Sequence, residues 1–182
     1  MDELVDILDS KGNYTGKTCL KSEAHRLGLF HPTIHVWFYS ASGKILLQQR
    51  GANKETYPLK WDVSVAGHIG AGEQPKLAAF RETQEEIGVI IDQKKLEKIT
   101  VLKKEVKHPN GIWDSEFTYV FLYGIDENIP VKKQENEVEA LQWINIKEFK
   151  RWIATKNSNF IPNSEERFHK IISAIAYRIE KN

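Results

Sequence analysis

The sequence predicts an α/β fold built on a mixed sheet. Two observations carry that reading: strand-type runs lie on both sides of one strong helix, and the chain closes with helices. A third bounds it: 182 residues is the size of one domain, long enough to bury most of its apolar surface. One domain is expected over 1–182, with an N-terminal hairpin and short helix over 1–30 and a C-terminal helix over 164–182.

Each element follows from local pattern. Residues 4–8 (LVDIL) read as a strand, Asp9-Ser10-Lys11-Gly12-Asn13 as its turn and 14–19 as the returning partner. Residues 21–26 make a short polar helical turn, with Ser22 as the expected N-cap. The run 31–39 (HPTIHVWFY) is strongly β-type, and Ser40-Ala41-Ser42-Gly43 turns it into 44–50 as a second hairpin. A polar loop containing Pro58 follows. Residues 61–66 (WDVSVA) alternate as a half-buried strand does and deliver the chain into a glycine-rich turn. From Pro75 the residues keep helical period to Ile87, and Gly88 is a C′ stop. Beyond it, 89–91 and 99–106 are strand-like, His108-Pro109-Asn110-Gly111 is a turn, and 116–123 and 137–144 read as strands. Residues 146–154 and 164–180 read as helices.

Composition excludes more than it identifies. Apolar residues at 41% and charged residues at 28% are ordinary for a soluble globular protein. A net charge of +1 gives no global field toward nucleic acid or a membrane surface. The single cysteine, Cys19, rules out an internal disulfide and fits a reducing compartment. The opening MDELVDILD has no apolar core, and no apolar run approaches a membrane span, so a cytoplasmic protein is expected.

The chemistry concentrates in residues 67–89, GHIGAGEQPKLAAFRETQEEIGV. Gly67, Gly70 and Gly72 suit positive φ or a close backbone approach. On the helix, Glu82, Glu85 and Glu86 stand at i, i+3 and i+4 and share a face, with Leu77, Phe80 and Ile87 opposite and Ala78 and Ala79 flanking. Three like charges repel, and two of them sit at the helix's negative end. Hard divalent cations favour such an arrangement, because Mg²⁺ takes carboxylate, phosphate and water oxygens.

This stretch resembles the Nudix box of Nudix hydrolases, GX5EX7REUXEEXGU, where U is a bulky aliphatic residue. Gly67, Glu73, Arg81, Glu82, Glu85, Glu86 and Gly88 match every fixed position; Thr83, at the first U, departs. The resemblance implies an α/β/α sandwich with a central mixed sheet and the box as loop–helix–loop. It implies hydrolysis of a diphosphate with Mg²⁺ or Mn²⁺ held by Glu82, Glu85, Glu86 and the Gly67 carbonyl. Glu82 or another carboxylate would activate the water, and Arg81 would hold Glu73 by a bidentate ion pair rather than touch substrate.

A second constellation resembles one branch of that superfamily, isopentenyl diphosphate isomerase and its hydrolase relatives. The matching stretches are AHRLGLFHPTIHVWF, ILLQQRGANKETYPLKWDVSVAGHI and WDSEFTYVF. On that alignment His25, His31, His68, Asp114 and Glu116 fall on a metal site of the isomerase, and the i, i+2 pair Asp114 and Glu116 points to one strand face. The isomerase's catalytic cysteine position is Ala66 here, Cys19 lies elsewhere in the chain, and the box is intact, so a hydrolase on an isomerase-like scaffold is expected. Glu116, aligned with the isomerase's other catalytic acid, is free to serve as ligand or base.

Candidate phosphate contacts are Arg50, Lys54, Lys60 and Lys104. Trp37, Trp61, Trp113 and Tyr119 are candidates for stacking or an apolar wall, with Trp61 taken as substrate-binding. Glu137 and Glu139 are weaker candidates for a further carboxylate. The expected partner is a small diphosphate (nucleoside, isoprenoid or thiamine diphosphate), not a nucleic acid polymer or membrane; a homodimer stays open. Competing readings are an isomerase and a non-catalytic diphosphate sensor.

Overall fold

A computed structural model describes residues 2–162 and 165–181. The described chain runs β1 (Leu4–Leu8), β2 (Tyr14–Leu20), α1 (Lys21–Leu27), β3 (His31–Tyr39), β4 (Lys44–Arg50), β5 (Trp61–Asp62), β6 (Val65–His68) and α2 (Pro75–Ile87). It continues through β7 (Glu97–Lys107), β8 (Trp113–Gly124), β9 (Val138–Asn145), α3 (Ile146–Ala154) and α4 (Glu165–Lys181). The ends of the expected C-terminal helix, 164 and 182, fall outside the described residues.

β3 and β8 run parallel while the other pairs are antiparallel, which makes the seven-stranded sheet mixed. Strand parity divides the core. Ile34, Val36, Phe38, Phe121 and Tyr123 face α2, together with Ala78, Ala79 and Ile87. Trp37, Tyr39, Val120 and Leu122 face the other way, against Phe149 of α3 and Phe168, Ile171 and Ile175 of α4. The result is the expected α/β/α layering. Trp37 is fully buried core.

The sheet forks between β3 and β4, which pair only at Tyr39 and Ile45. Beyond that point β3 takes β6 as its neighbour and β4 takes β5 and β9. Ser64 holds the fork: its hydroxyl accepts from Phe38 N at 2.9 Å and donates to Leu46 O at 2.6 Å, while the residue is fully buried. The single strand expected over 61–66 is therefore two, broken at Val63 and Ser64 where the chain changes partners.

Three further expectations are corrected. Ser22 does not cap α1; Leu20 occupies that position and the Ser22 hydroxyl donates to Asp2 at 2.6 Å. Residues 89–91 have the burial alternation of a strand, Val89 and Ile91 in and Ile90 out, but no strand neighbour. On α2, Leu77 is 47% exposed, while Glu82 and Glu86 turn inward beside Ala78, Ala79 and Thr83. The two alanines let the helix approach the sheet, and the Thr83 hydroxyl is satisfied internally on Ala79 O at 2.6 Å. That bond lets threonine fill an aliphatic position without an orphaned donor.

Candidate active site

β6 is the wall shared by two constellations. On one side lies α2, placed by Pro75 in its first turn and closed by Gly88 at φ 69. Gly67 allows the contact: a Cβ there would fall 2.1 Å from Glu82 Cδ, so only glycine lets this carboxylate lie against the strand. Its backbone is not in the left-handed region; Gly72, at φ 74, is the turn glycine that needs it.

Arg81 organises the carboxylates. Its Nε and one Nη donate to Glu73 at 3.0 and 2.9 Å, and that Nη also reaches His68 O at 3.0 Å. The other Nη donates to Glu82 at 2.8 Å and Glu85 at 3.2 Å. The expected fork on Glu73 is thus present within a larger web. Burial raises Glu73, but the Arg81 bonds and the Gly70 N–H outweigh it and hold the carboxyl below its ordinary range. Glu86 accepts from Ala66 N and from the Gln48 amide, both at 3.2 Å. Burial pushes Glu82 up to about 7 against the pull of Arg81, and pushes Glu86 up to about 8, with Glu82's charge adding to the rise. Glu85 keeps a side chain 50% exposed.

On the other side of β6 is a cavity of about 360 Å³, lined from α1, every strand from β3 to β8, the 51–60 loop, residues 161–162 and α4. His25, His31, His68 and Glu116 can each present one ligand atom within 4.8 Å of the others. His31 Nδ1 donates to Leu29 O at 2.9 Å, and its Nε2 is buried with no hydrogen-bond partner among the described residues. Burial, then His31, lowers His25 to about 4 and His68 well below the usual histidine range, so both rings are neutral. Asp114 lines the cavity outside this group of four, held by Lys104 at 2.8 Å and His108 at 2.9 Å. Burial raises Asp114, but Lys104 and His108 bring it below its ordinary range.

The remaining candidates divide. Arg50 and Lys54 line the cavity, Arg50 paired with Asp62 at 3.0 Å and Lys54 with Glu137. Lys104 lines it as well; burial lowers it, but Glu116 and Asp114 together raise it above the usual lysine range. Lys60 and Trp61 do not: Lys60 Nζ donates to Ser158 O at 2.6 Å, and Trp61 packs on the α3–α4 core. Tyr119 packs against the α2 core, and Trp113 carries Lys107 over its ring. Glu82, Glu85 and Glu86 lie behind β6, outside the cavity lining, which reaches only Gly67 of the expected box ligands.

Sequence reasoning passed over Lys21, His35, Gln48, His108 and Arg167. Two carried a readable signal. His35 repeats the parity of His31 on an otherwise apolar strand, and Arg167 precedes Ile171 and Ile175 at four-residue steps on α4's buried stripe. Nothing local marks Lys21 or Gln48.

Comparison with known proteins places these features in a family. The family described as NUDIX domain matches residues 29–164. Nudix hydrolase 3 of Arabidopsis thaliana is 33% identical over 100% of this chain, which spans 24% of that protein's length. An isopentenyl-diphosphate Delta-isomerase of Serratia proteamaculans is 25% identical over 96% of this chain and 100% of its own. A crystal structure of a Deinococcus radiodurans protein superposes with a TM-score of 0.68 at 21% identity, covering 84% of this chain and 90% of that one.

Proposed function

The chain belongs to the NUDIX domain family, in a branch whose relatives carry both hydrolase and isomerase names, and from that premise we propose a specific activity. It is a divalent-metal-dependent hydrolase that cleaves a phosphoanhydride bond in a small organic diphosphate. One observation carries this reading. Glu82 and Glu86 are both buried on one face of α2; burial drives Glu82 up to about 7 in spite of Arg81, and burial together with the charge of Glu82 drives Glu86 up to about 8. Buried carboxylates without compensating charge are costly, and a hard cation removes that cost.

The donor chemistry fits such ions. Glu82, Glu85, Glu86 and the Gly67 carbonyl are hard oxygens suited to Mg²⁺ or Mn²⁺. His25, His31, His68 and Glu116, with Asp114 adjacent, form a nitrogen-rich set that favours Mn²⁺ over Mg²⁺. When bound, the cations neutralise phosphate oxygens and lower the pKa of a water. The chain supplies the rest. Arg81 acts as a positioning residue that holds Glu82 and Glu85. Lys21, Arg50, Lys54 and Lys104 give the cavity positive charge for a diphosphate. Glu82 is the candidate base on the box side, and Glu116 is the alternative base from the cavity side. The single thiol supports a reducing, cytoplasmic setting, and no described helix is long and apolar enough to cross a membrane.

The isomerase reading draws support from the Serratia relative and the His–Glu116 cluster. Against it, Ala66 lines the cavity where the isomerase has its cysteine. Cys19 packs with Val5, Ile7 and Ala24 outside that lining, so neither position offers a thiol to carbon. The test is product release across nucleoside, isoprenoid and thiamine diphosphates with Mg²⁺ and separately with Mn²⁺. Turnover of one class that disappears in Glu85→Gln is expected. Proton exchange from solvent into isopentenyl diphosphate without phosphate release would replace this reading with the isomerase. Tight binding without turnover would replace it with a sensor.

A further inference from the structure

Arg167 is the cavity cation with no ion pair among the described residues. It stands in the first turn of α4, 8% exposed, and lines the cavity from the α4 side. One Nη donates to His35 Nδ1 at 2.6 Å, and the Nε–H is buried without a partner among the described residues. Among the described residues the nearby acids are committed elsewhere: Asp62 pairs with Arg50, and Glu116 lies 3.8 Å from Lys104. His35 supplies no counter-charge. Burial, then Arg167 itself, holds its ring well below the usual histidine range, so it is a neutral acceptor with its proton on Nε2. A buried guanidinium held by a neutral imidazole, with a donor left over, has the chemistry of an anion site.

Its place along β3 gives the site a function. His31, Thr33 and His35 share one strand face, and the register sets His31, Glu116 and Lys104 on one rung. The Arg167–His35 pair lies four residues further, roughly 13 Å along the strand. A diphosphate at the His31 end would therefore send its organic group toward Arg167. A hydrocarbon tail there leaves the guanidinium unsatisfied; an oxyanion completes it.

We propose that Arg167 and His35 form a second anion subsite that selects diphosphates whose organic group ends in a carboxylate or phosphate over those ending in hydrocarbon. The inference rests on the cavity being the diphosphate site. Binding is measured by calorimetry with Mn²⁺ on the Glu85→Gln background, so that ligands stay intact. The probes are isopentenyl diphosphate, 3-carboxypropyl diphosphate and 3-phosphopropyl diphosphate. Either anionic ligand is expected to bind about 10- to 100-fold tighter than the isopentenyl compound, and the stronger of the two identifies the oxyanion. Arg167→Met should erase the preference; Arg167→Lys, which keeps charge but not the planar fork, should reduce it. If the methionine variant does not fold, the lysine variant decides. Equal affinity for all three ligands, or a preference untouched by either substitution, overturns the proposal. Wild-type protein that hydrolyses no nucleoside, isoprenoid or thiamine diphosphate, nor any of these probes, would instead overturn the hydrolase reading, with the binding comparison still legible.

Discussion

The box side of β6 and the cavity side are built in opposite ways. On the box side, six functional residues fall between Gly67 and Glu86, and Arg81 engages three carboxylates and a backbone carbonyl. On the cavity side, charges arrive from α1, β4, the 51–60 loop, β5, β7, β8 and α4, and groups are left open: Arg167 Nε there and His31 Nε2 in the adjoining histidine cluster are buried without partners among the described residues. The box is a closed electrostatic unit whose instability lies in excess negative charge. The cavity is an open one, awaiting a ligand. The difference is one of electrostatics: one side has charge that a cation would relieve, the other has polar groups that a ligand would satisfy.

The largest expected effect breaks the box alone. Glu85 is half exposed and takes one bond from Arg81, so Glu85→Gln should leave thermal stability nearly unchanged while lowering kcat about 10²- to 10³-fold. His25→Ala, on the cavity side, should cost nearer 10-fold, chiefly in metal affinity. Comparable losses from both in one steady-state assay would show that the two sides act as a single centre.

Next in size is the contact across β6. Gly67→Ala forces a methyl into Glu82 and should destabilise by about 1–3 kcal/mol, as overpacking does. Gly70→Ala is the control, since its Cβ would meet Glu73 Oε2 at 3.4 Å, an ordinary contact, and should shift stability by less than ~0.5 kcal/mol. Chemical denaturation of both variants checks this; equal effects would mean that Gly67 is needed for something other than the approach of Glu82.

The same contrast explains what was legible in the sequence. The box could be read because helical period and a turn place its residues within reach by local geometry alone. The inward turn of Glu82 and Glu86 could not, because pattern gives Leu77 the stronger claim to burial; the small Ala78 and Ala79 decide otherwise by letting β6 come close. The fork at Ser64 was hidden for a related reason. Alternation over 61–66 reports burial, but not which strand lies alongside. On the cavity side, His25, His31, His68 and Glu116 came from a resemblance rather than from spacing. Arg167 is separated by 132 positions from His35, its hydrogen-bond partner, and only tertiary structure joins them.

A third effect reads the excess charge of the box directly. Glu86, near 8, and Glu82, near 7, hold protons in the fold that the unfolded chain releases near 4.3. The folded state thus binds more protons, and stability falls as pH rises. Below about pH 7.5 the depressed His25, His35 and His68 act in the opposite direction, since there the unfolded chain binds more protons on histidine. The clean window is therefore pH 7.5 to 9, where the unfolded histidines are already neutral and metal-free protein should lose roughly 1 kcal/mol. Glu86→Gln should remove most of that slope, and saturating Mn²⁺ should flatten it by holding the ionised carboxylates. Urea titrations in chelator at several pH values measure it; a flat profile would mean that the two glutamates are not carrying uncompensated charge.

The smallest effect tests the boundary of the cavity. Lys54 and Lys60 look alike as basic residues of one polar loop, yet Lys54 lines the cavity and Lys60 is turned onto Ser158. Lys54 is held only by Glu137, a pair with half-open side chains that exposed geometry makes weak, so a phosphate can compete for it. Lys54→Ala should raise KM about 10-fold with kcat little changed, the pattern of lost ground-state binding. Lys60→Ala should leave KM within about 2-fold, because its charge already serves the loop and never reaches the ligand. A KM effect at Lys60 equal to that at Lys54 would mean that substrate draws the 51–60 loop inward, and the cavity would then be closed by its ligand rather than preformed.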